Sequence, residues 1–234
     1  MTVLSIAHRG DPVGHRENTL PAFAAALAQG ADMVELDLRR TRDGVIVALH
    51  DQTLDRLWGV DASVGDLDWS EVAALGSGDR RIPTLDETLA AVPCGLMIDF
   101  TRREHVPGAL SGVEAAGAMG RSLFVTGNVP ALRMLRSLSP EARIGLTWTE
   151  NTSPPLELLT ELGAEFWNPI FSLVTPAGVE KVRASGRRVS TWTVDQEGDM
   201  ARMVAAGVDA VVSNRIGALV RILGRPSGST PLED

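Results

Sequence analysis

The sequence predicts a single-domain α/β fold closed into an eight-stranded (β/α)8, or TIM, barrel. Three observations carry this expectation. Short β-rich runs alternate with helical patterns from one end of the chain to the other. The strand-like runs in that alternation number eight, and 234 residues fall in the range of one such barrel. No Gly-rich dinucleotide turn follows the first strand, as it would in many open doubly wound sheets.

Taken in order, Val3–His8 reads as the first strand. Leu20–Gln29 reads as an Ala-rich helix, with Thr19 at the N-cap position and Gly30 as its stop. Met33–Arg39 is the second strand. Val45–His50 follows a turn at Asp43-Gly44 and reads as a hairpin-like extension of it. Residues from about 51 to 80 form a polar, Gly-containing excursion with a helical turn near Ser70–Leu75, and loops of this length usually carry function or small elements of their own. Pro83-Thr84-Leu85-Asp86 opens a helix that runs to Ala91. The remaining strands are Gly95–Phe100, Ser122–Thr126, Ala142–Trp148, Glu165–Asn168, Arg188–Val194 and Ala210–Ser213. Helices at Pro107–Ala118, Ala131–Leu138, Leu156–Leu162, Pro176–Ser185, Glu197–Ala206 and Ile216–Leu223 separate and follow them. The barrel is expected over residues 1–223. Residues 224–234, rich in Pro, Gly and Ser, are expected to be disordered.

Composition narrows the function. A net charge of −8 argues against nucleic-acid binding, which wants basic surface. A small anionic substrate stays open, because a local cation and arginines can invert the field in one cleft. No stretch is long and apolar enough for an integral membrane segment, and the N-terminus lacks the pattern of a signal peptide. The single cysteine, Cys94, excludes an intramolecular disulfide, and a cytoplasmic setting is the simplest expectation.

Chemistry-bearing residues gather where strands end, which is where barrel enzymes keep their sites. Leu4, Ile6 and His8 share one strand face, so an inward Ile6 puts His8 at the barrel mouth. Glu35 and Asp37 lie two apart on an otherwise apolar strand and share a face. Two carboxylates so placed repel each other and lose solvation, and a bound cation removes both costs. Oxygen-only ligands suit Mg²⁺ or Ca²⁺. The bland alternative is an acidic pair solvated on a strand edge. Asp99 ends the third strand as a further ligand or as a loop cap. His50 also ends an apolar run, and two strand-end histidines suit acid–base catalysis. His15 and His105 sit in loop-like or helix-start contexts and read as surface residues.

Several motifs recur in a telling order: His8-Arg9-Gly10, Glu17-Asn18-Thr19, Ala22-Phe23, Gly30-Ala31-Asp32 and Glu35-Leu36-Asp37. Thr41, Asp43-Gly44, His50-Asp51, Leu54-Asp55-Arg56, Ile82-Pro83-Thr84-Leu85, Trp192-Thr193-Val194 and Gly207-Val208-Asp209 follow them. This ordered set resembles the glycerophosphodiester phosphodiesterase family, densely over the first hundred residues and more thinly afterwards. The resemblance implies a TIM barrel that hydrolyses a glycerophosphodiester to glycerol 3-phosphate and an alcohol. It implies one divalent cation, Mg²⁺ or Ca²⁺, on Glu35, Asp37 and Asp99, with His8 and His50 as the acid–base pair. It further implies that the neighbouring glycerol hydroxyl would attack phosphorus to give a cyclic phosphate, which water would then open. Arg9 would bind a phosphate oxygen, Glu17 and Asn18 would line the mouth, with Asn18 either orienting a phosphate or metal-bound group or simply holding the loop, and Trp192 would wall the glycerol or alcohol pocket.

The chain departs from the family's pattern in three places. The third strand usually ends Glu-x-Lys, and here it reads Asp99-Phe100-Thr101, so one ligand is shorter and a lysine is missing. Arg102 or Arg103 could supply the lost charge. Ser213-Asn214 stands for the usual Thr-Asp. Two other readings remain open. One is a phospholipase D-like enzyme on lysophospholipid or sphingolipid head groups, for which Trp58 and Trp69 would form an apolar apron. The other is a non-catalytic barrel that binds a phosphorylated ligand.

Overall fold

In the computed structural model, which describes residues 2–225, the eight strand-like runs pair side by side in chain order and close on themselves. They are β1 (Leu4–His8), β2 (Met33–Arg40), β3 (Gly95–Phe100), β4 (Ser122–Thr126), β5 (Arg143–Trp148), β6 (Phe166–Pro169), β7 (Arg188–Thr191) and β8 (Ala210–Ser213). All neighbours are parallel, and β1 pairs with both β8 and β2, which leaves no free edge in the barrel. Eight principal helices lie between and after them: α1 (Leu20–Ala28), α2 (Leu85–Ala91), α3 (Val106–Ala115), α4 (Val129–Leu138), α5 (Leu156–Glu161), α6 (Pro176–Ala184), α7 (Glu197–Ala206) and α8 (Ile216–Ile222). The expected TIM barrel is the observed one.

Strand alternation sorts the apolar residues into two layers. Ile6, Met33, Met97, Leu123, Val125, Phe166, Ala210 and Val212 fill the barrel interior. The opposite faces, among them Val34, Leu36, Leu96, Ile98, Phe124 and Val211, pack under the helices. The interior packing forms a floor, and the next residues up β1, β2 and β3 are polar. Those residues are His8, Glu35, Asp37 and Asp99.

The ends of α1 and α2 follow local rules. Gly30 takes φ 91° after α1, and Ala31 N–H returns to the Ala26 carbonyl at 3.2 Å. Thr84 and Glu87 form a reciprocal capping box that starts α2. Gly10 has φ 85°, and a Cβ there would come within 2.6 Å of the Ala22 backbone. Gly10→Ala is therefore expected to cost about 2 kcal/mol or more. Denaturant melts would test this, and an unchanged midpoint would show that α1 can move away.

The excursion after β2 is more structured than a loop. Ile46–Ala48 pairs antiparallel with the end of β2, as the hairpin expectation had it. Beyond it, Val47, Leu49, Leu54, Val64, Val72 and Ile82 make a core of their own. Trp58 and Trp69, both half-buried, pack onto that core. Other expectations needed correction. β7 ends at Thr191 rather than Val194, because the chain leaves the sheet after a single bridge from Trp192 to Ile170. The tail expected to be disordered over 224–234 is tied to the body at Arg225, whose guanidinium pairs with Asp32 and donates to the Val3 carbonyl at 2.7 Å. The rest of that tail, 226–234, lies outside the described residues. Among the described residues no helix is long and apolar enough to cross a membrane.

Candidate active site

Strand register sets the acids at one level. In the β2–β3 ladder Asp37 stands opposite Asp99, and in the β1–β2 ladder His8 stands opposite Glu35. One carboxylate oxygen from each of Glu35, Asp37 and Asp99 lies within 4.8 Å of the others. Glu35 and Asp37 are only 4% and 7% exposed. Burial, then Asp37 and Asp99, pushes the Glu35 carboxyl well above its ordinary range. Burial, then Asp37, pushes Asp99 up to about 7. Clustered acids held this way are unfavourable unless they share protons or a cation. Three hard oxygen donors at this separation fit the roughly 2.0–2.6 Å ligand distances of Mg²⁺ or Ca²⁺.

Two imidazoles flank the acids in opposite surroundings. His8 is pulled below its ordinary value by burial and then by Arg9, which favours the neutral ring. Its Nδ1 lies 2.7 Å from Asn214 Oδ1, and its Nε2 lies 3.9 Å from Glu35. Asn214 donates its amide NH₂ to Asp195 Oδ2 at 2.8 Å and its backbone N–H to Asp195 Oδ1 at 2.9 Å. A carboxylate only accepts, so the Asn214 oxygen must face His8. His8 Nδ1 then carries the hydrogen, and Nε2 keeps its lone pair for the cavity. His50 instead has Nδ1 2.7 Å from Asp51 Oδ1. The Arg56 guanidinium, and to a lesser degree His50, hold Asp51 down to about 2. His50 thus stands against an ionised carboxylate.

Arg9 and Asn18 have φ 57° and 54°, unusual for residues other than glycine. The strain sits where the loop after β1 is tied to the acids. Arg9 N–H donates to the Glu35 carboxylate at 3.0 Å, and Asn18 N–H donates to the Arg9 carbonyl at 3.0 Å. Asn18 is buried, and its amide donates to Asp37 Oδ2 at 2.9 Å. The Arg9 guanidinium spans Glu17 and Asp37 at 3.0 Å each, though its Nε is not aligned for a hydrogen bond to Asp37. Glu17 also pairs with Arg56 at 2.6 Å. Glu17 and Asn18, expected to line the mouth, are not among the residues that line the cavity, and Asn18 touches it through Asp37. They are occupied in holding Arg9, Arg56 and Asp37.

The cavity itself measures about 170 Å³. It is lined by His8, Arg9, Glu35, Asp37, His50 and Asp99, by the apolar Met97, Val125, Val212 and Trp192, and by Thr101, Thr147 and Asn168. Trp192 is fixed by an N–H bond to the Asn168 carbonyl at 3.0 Å. The fold therefore brings seven of the nine residues singled out from the sequence onto one cavity.

Two comparisons with known proteins decide the family. The model of the glycerophosphoryl diester phosphodiesterase family matches residues 8–218. A glycerophosphodiester phosphodiesterase of Caldanaerobacter subterraneus is 29% identical, over 95% of this chain and 98% of its own. The chain belongs to the glycerophosphoryl diester phosphodiesterase family. An Arabidopsis thaliana glycerophosphodiester phosphodiesterase is 30% identical, over 90% of this chain and 70% of its own. Among solved structures, an Agrobacterium tumefaciens glycerophosphodiester phosphodiesterase is 25% identical with TM-score 0.84, covering 95% and 99% of the two chains. An Oleispira antarctica phosphodiesterase, solved with its product sn-glycerol-3-phosphate, shares the fold at TM-score 0.89 and 24% identity, covering 95% and 97%.

For this member of the family, the structure shows what stands around the missing lysine. Thr101 accepts a hydrogen bond from Arg39 Nη1 at 2.7 Å, so a guanidinium from β2 abuts that position. Arg102 turns away to Gln52 and Glu104. Arg39 was not foreseen as a site residue, although it continues the Glu35, Asp37 alternation by two residues. Asp195 also escaped notice, because nothing in its local sequence ties it to His8. Thr147 and Asn168 carried a usable signal, as polar residues at or near the ends of β5 and β6. His105, expected at the surface, is 4% exposed, and burial, then Arg39, pulls its ring down to about 4. The turn after β3 folds it inward.

Proposed function

We propose that the chain hydrolyses a glycerophosphodiester to glycerol 3-phosphate and an alcohol. One divalent cation, Mg²⁺ or Ca²⁺, would be held by Glu35, Asp37 and Asp99, and His8 and His50 would move the protons. The observation that carries this reading is the convergence of three clustered carboxylates and two oppositely surrounded imidazoles on one cavity. When bound, the cation supplies positive charge to the phosphate and lowers the pKa of a nearby hydroxyl.

The chain's own groups then do the rest. His8 Nε2 takes the proton of the glycerol hydroxyl next to the ester, and that oxygen attacks phosphorus. His50, protonated and balanced by Asp51, gives its proton to the departing alcohol oxygen as the P–O bond breaks. A cyclic phosphate results. In the second half His50 takes a proton from water, and His8 returns its own to the glycerol oxygen. Arg9 faces the developing negative charge on the phosphate oxygens. Trp192 and its apolar neighbours border the organic part of the substrate and limit water.

The direct test is hydrolysis of glycerophosphocholine and of a lysophospholipid, each with and without a chelator. Hydrolysis of glycerophosphocholine that the chelator stops is the expected result. Turnover of the lysophospholipid alone would move the substrate to lipid head groups. Inactivity on both with Mg²⁺ or Ca²⁺ present would leave a phosphate-binding barrel.

Asn214 gives a narrower test. Asn214→Ala should lower kcat by roughly ten- to a hundred-fold, because His8 loses the acceptor that fixes its tautomer. KM and the melting temperature should move little. A kcat within two-fold of the parent would remove Asn214 from the mechanism.

A further inference from the structure

A cleft of about 300 Å³ opens beside the catalytic cavity, between the end of β2, residues 63–66 and the turn after β3. Arg39, Arg40, Arg42 and Arg102 line it, against two acids, Asp66 and Glu104. On a chain with net charge −8 this is a local reversal of sign.

The partners of these arginines separate structural charge from free charge. Arg42 is paired with Asp68 at 2.8 Å and Glu71 at 3.3 Å, and it braces the excursion. Arg39 has no ion pair among the described residues. Its guanidinium donates only to neutral oxygens: Thr101 Oγ1 at 2.7 Å, the Leu38 and Asp51 carbonyls at 3.3 Å each, and the His50 carbonyl. Arg40 is exposed and has neither an ion pair nor a side-chain hydrogen bond among the described residues. Arg102 reaches the exposed Glu104 only at 3.4 Å, a contact of little strength. Arg40 and Arg102 thus border the cleft with no close ion pair, and Arg39 behind them has only neutral hydrogen-bond partners although Asp37, Asp99 and Asp51 stand near it; phosphate oxygens suit such guanidiniums best.

The position of the cleft says which phosphate. Thr101 and His50 line the catalytic cavity, and Arg39, which bonds both, lines the cleft. The two spaces share this thin wall. It stands on the side of His50, the ring that would protonate the leaving alcohol. The geometry points to a second phosphate subsite in this cleft, which would select glycerophosphodiesters whose alcohol carries another phosphate group. This rests on the phosphodiesterase reading and names the substrate class of that site. Arg40 and Arg102 would be the outer contacts and Arg39 the wall.

The test compares kcat/KM on bis(glycerophospho)glycerol, which carries two phosphates, with kcat/KM on zwitterionic glycerophosphocholine. Arg40→Glu should lower the first by about five-fold or more, through KM, and leave the second within two-fold. Arg40→Lys should restore most of the loss. Equal effects on the two substrates, or none, would overturn the subsite. If the cleft takes free phosphate instead, millimolar inorganic phosphate would alter glycerophosphocholine hydrolysis in the parent but not in Arg40→Glu. The preference between the substrates would then not move with Arg40, and the substrate assignment would fall. Should the parent turn over neither compound, the phosphodiesterase reading fails by itself. Calorimetric binding of the two compounds then decides the cleft: a preference for bis(glycerophospho)glycerol lost in Arg40→Glu supports it, and equal binding overturns it.

Discussion

His8→Ala is expected to lower kcat on glycerophosphocholine by about a thousand-fold while leaving the fold intact. The magnitude is that of a positioned general base, within the roughly hundred- to ten-thousand-fold such groups provide. The position argues for a base in particular. Burial and Arg9 keep the ring neutral, Asn214 takes the Nδ1 hydrogen, and the free Nε2 lone pair faces the cavity beside Glu35. The ring stands above the interior packing rather than within it, so its removal leaves no apolar void. Single-turnover rates, with thermal melts as a control for folding, would measure the effect. A rate near that of the parent would take His8 out of the chemistry. His50→Ala should also be severe. In the proposed mechanism it gives the proton to the leaving alcohol, so its loss should be smaller for substrates with good leaving groups.

Glu35→Gln should abolish activity and also erase a cation effect that can be read without any substrate. In the parent chain, Mg²⁺ or Ca²⁺ at about a hundred times its dissociation constant should raise the melting temperature by roughly 5–10 °C. With Glu35 neutral, one ligand charge is gone and the shift should largely vanish. The effect carries a pH signature. Burial and Asp37 raise Asp99 to about 7 in the folded chain, above its unfolded value. Its contribution to the stability of the metal-free protein is therefore complete below the ordinary carboxylate range and lost as pH rises through about 7. The cation requires the ionised form and competes with the proton. The gain in melting temperature on adding the cation should accordingly shrink as pH is lowered through about 7. A melting temperature indifferent to both cations at pH 8 would end the case for a metal site in these acids.

The origin of each part of this picture differs. The order of strands and helices was legible because each element announces itself locally. Apolar alternation, the Gly30 stop and the Thr84–Glu87 capping box all act within a few residues. His8, Glu35, Asp37, His50 and Asp99 were legible for the same reason, since a polar residue at the end of an apolar run is a local contradiction. Their spatial meeting was not. It depends on register, and a one-residue slip between β2 and β3 would turn Asp99 away from Asp37.

What the sequence by itself determined, then, was the barrel, the strand-end acids and the two imidazoles, because hydrophobic periodicity and chain-local turn chemistry are written in adjacent residues. Only the tertiary structure decided that Asn214 and Asp195 orient His8 from across the β1–β8 seam, and that Glu17 and Asn18 brace the loop instead of lining the cavity. Only it brought Arg39 against Thr101 where the family's lysine is missing. Those contacts join residues as many as 206 positions apart. Hydrogen bonds of that reach exist only after closure of the sheet has set which strand ends are neighbours, and no local pattern encodes them.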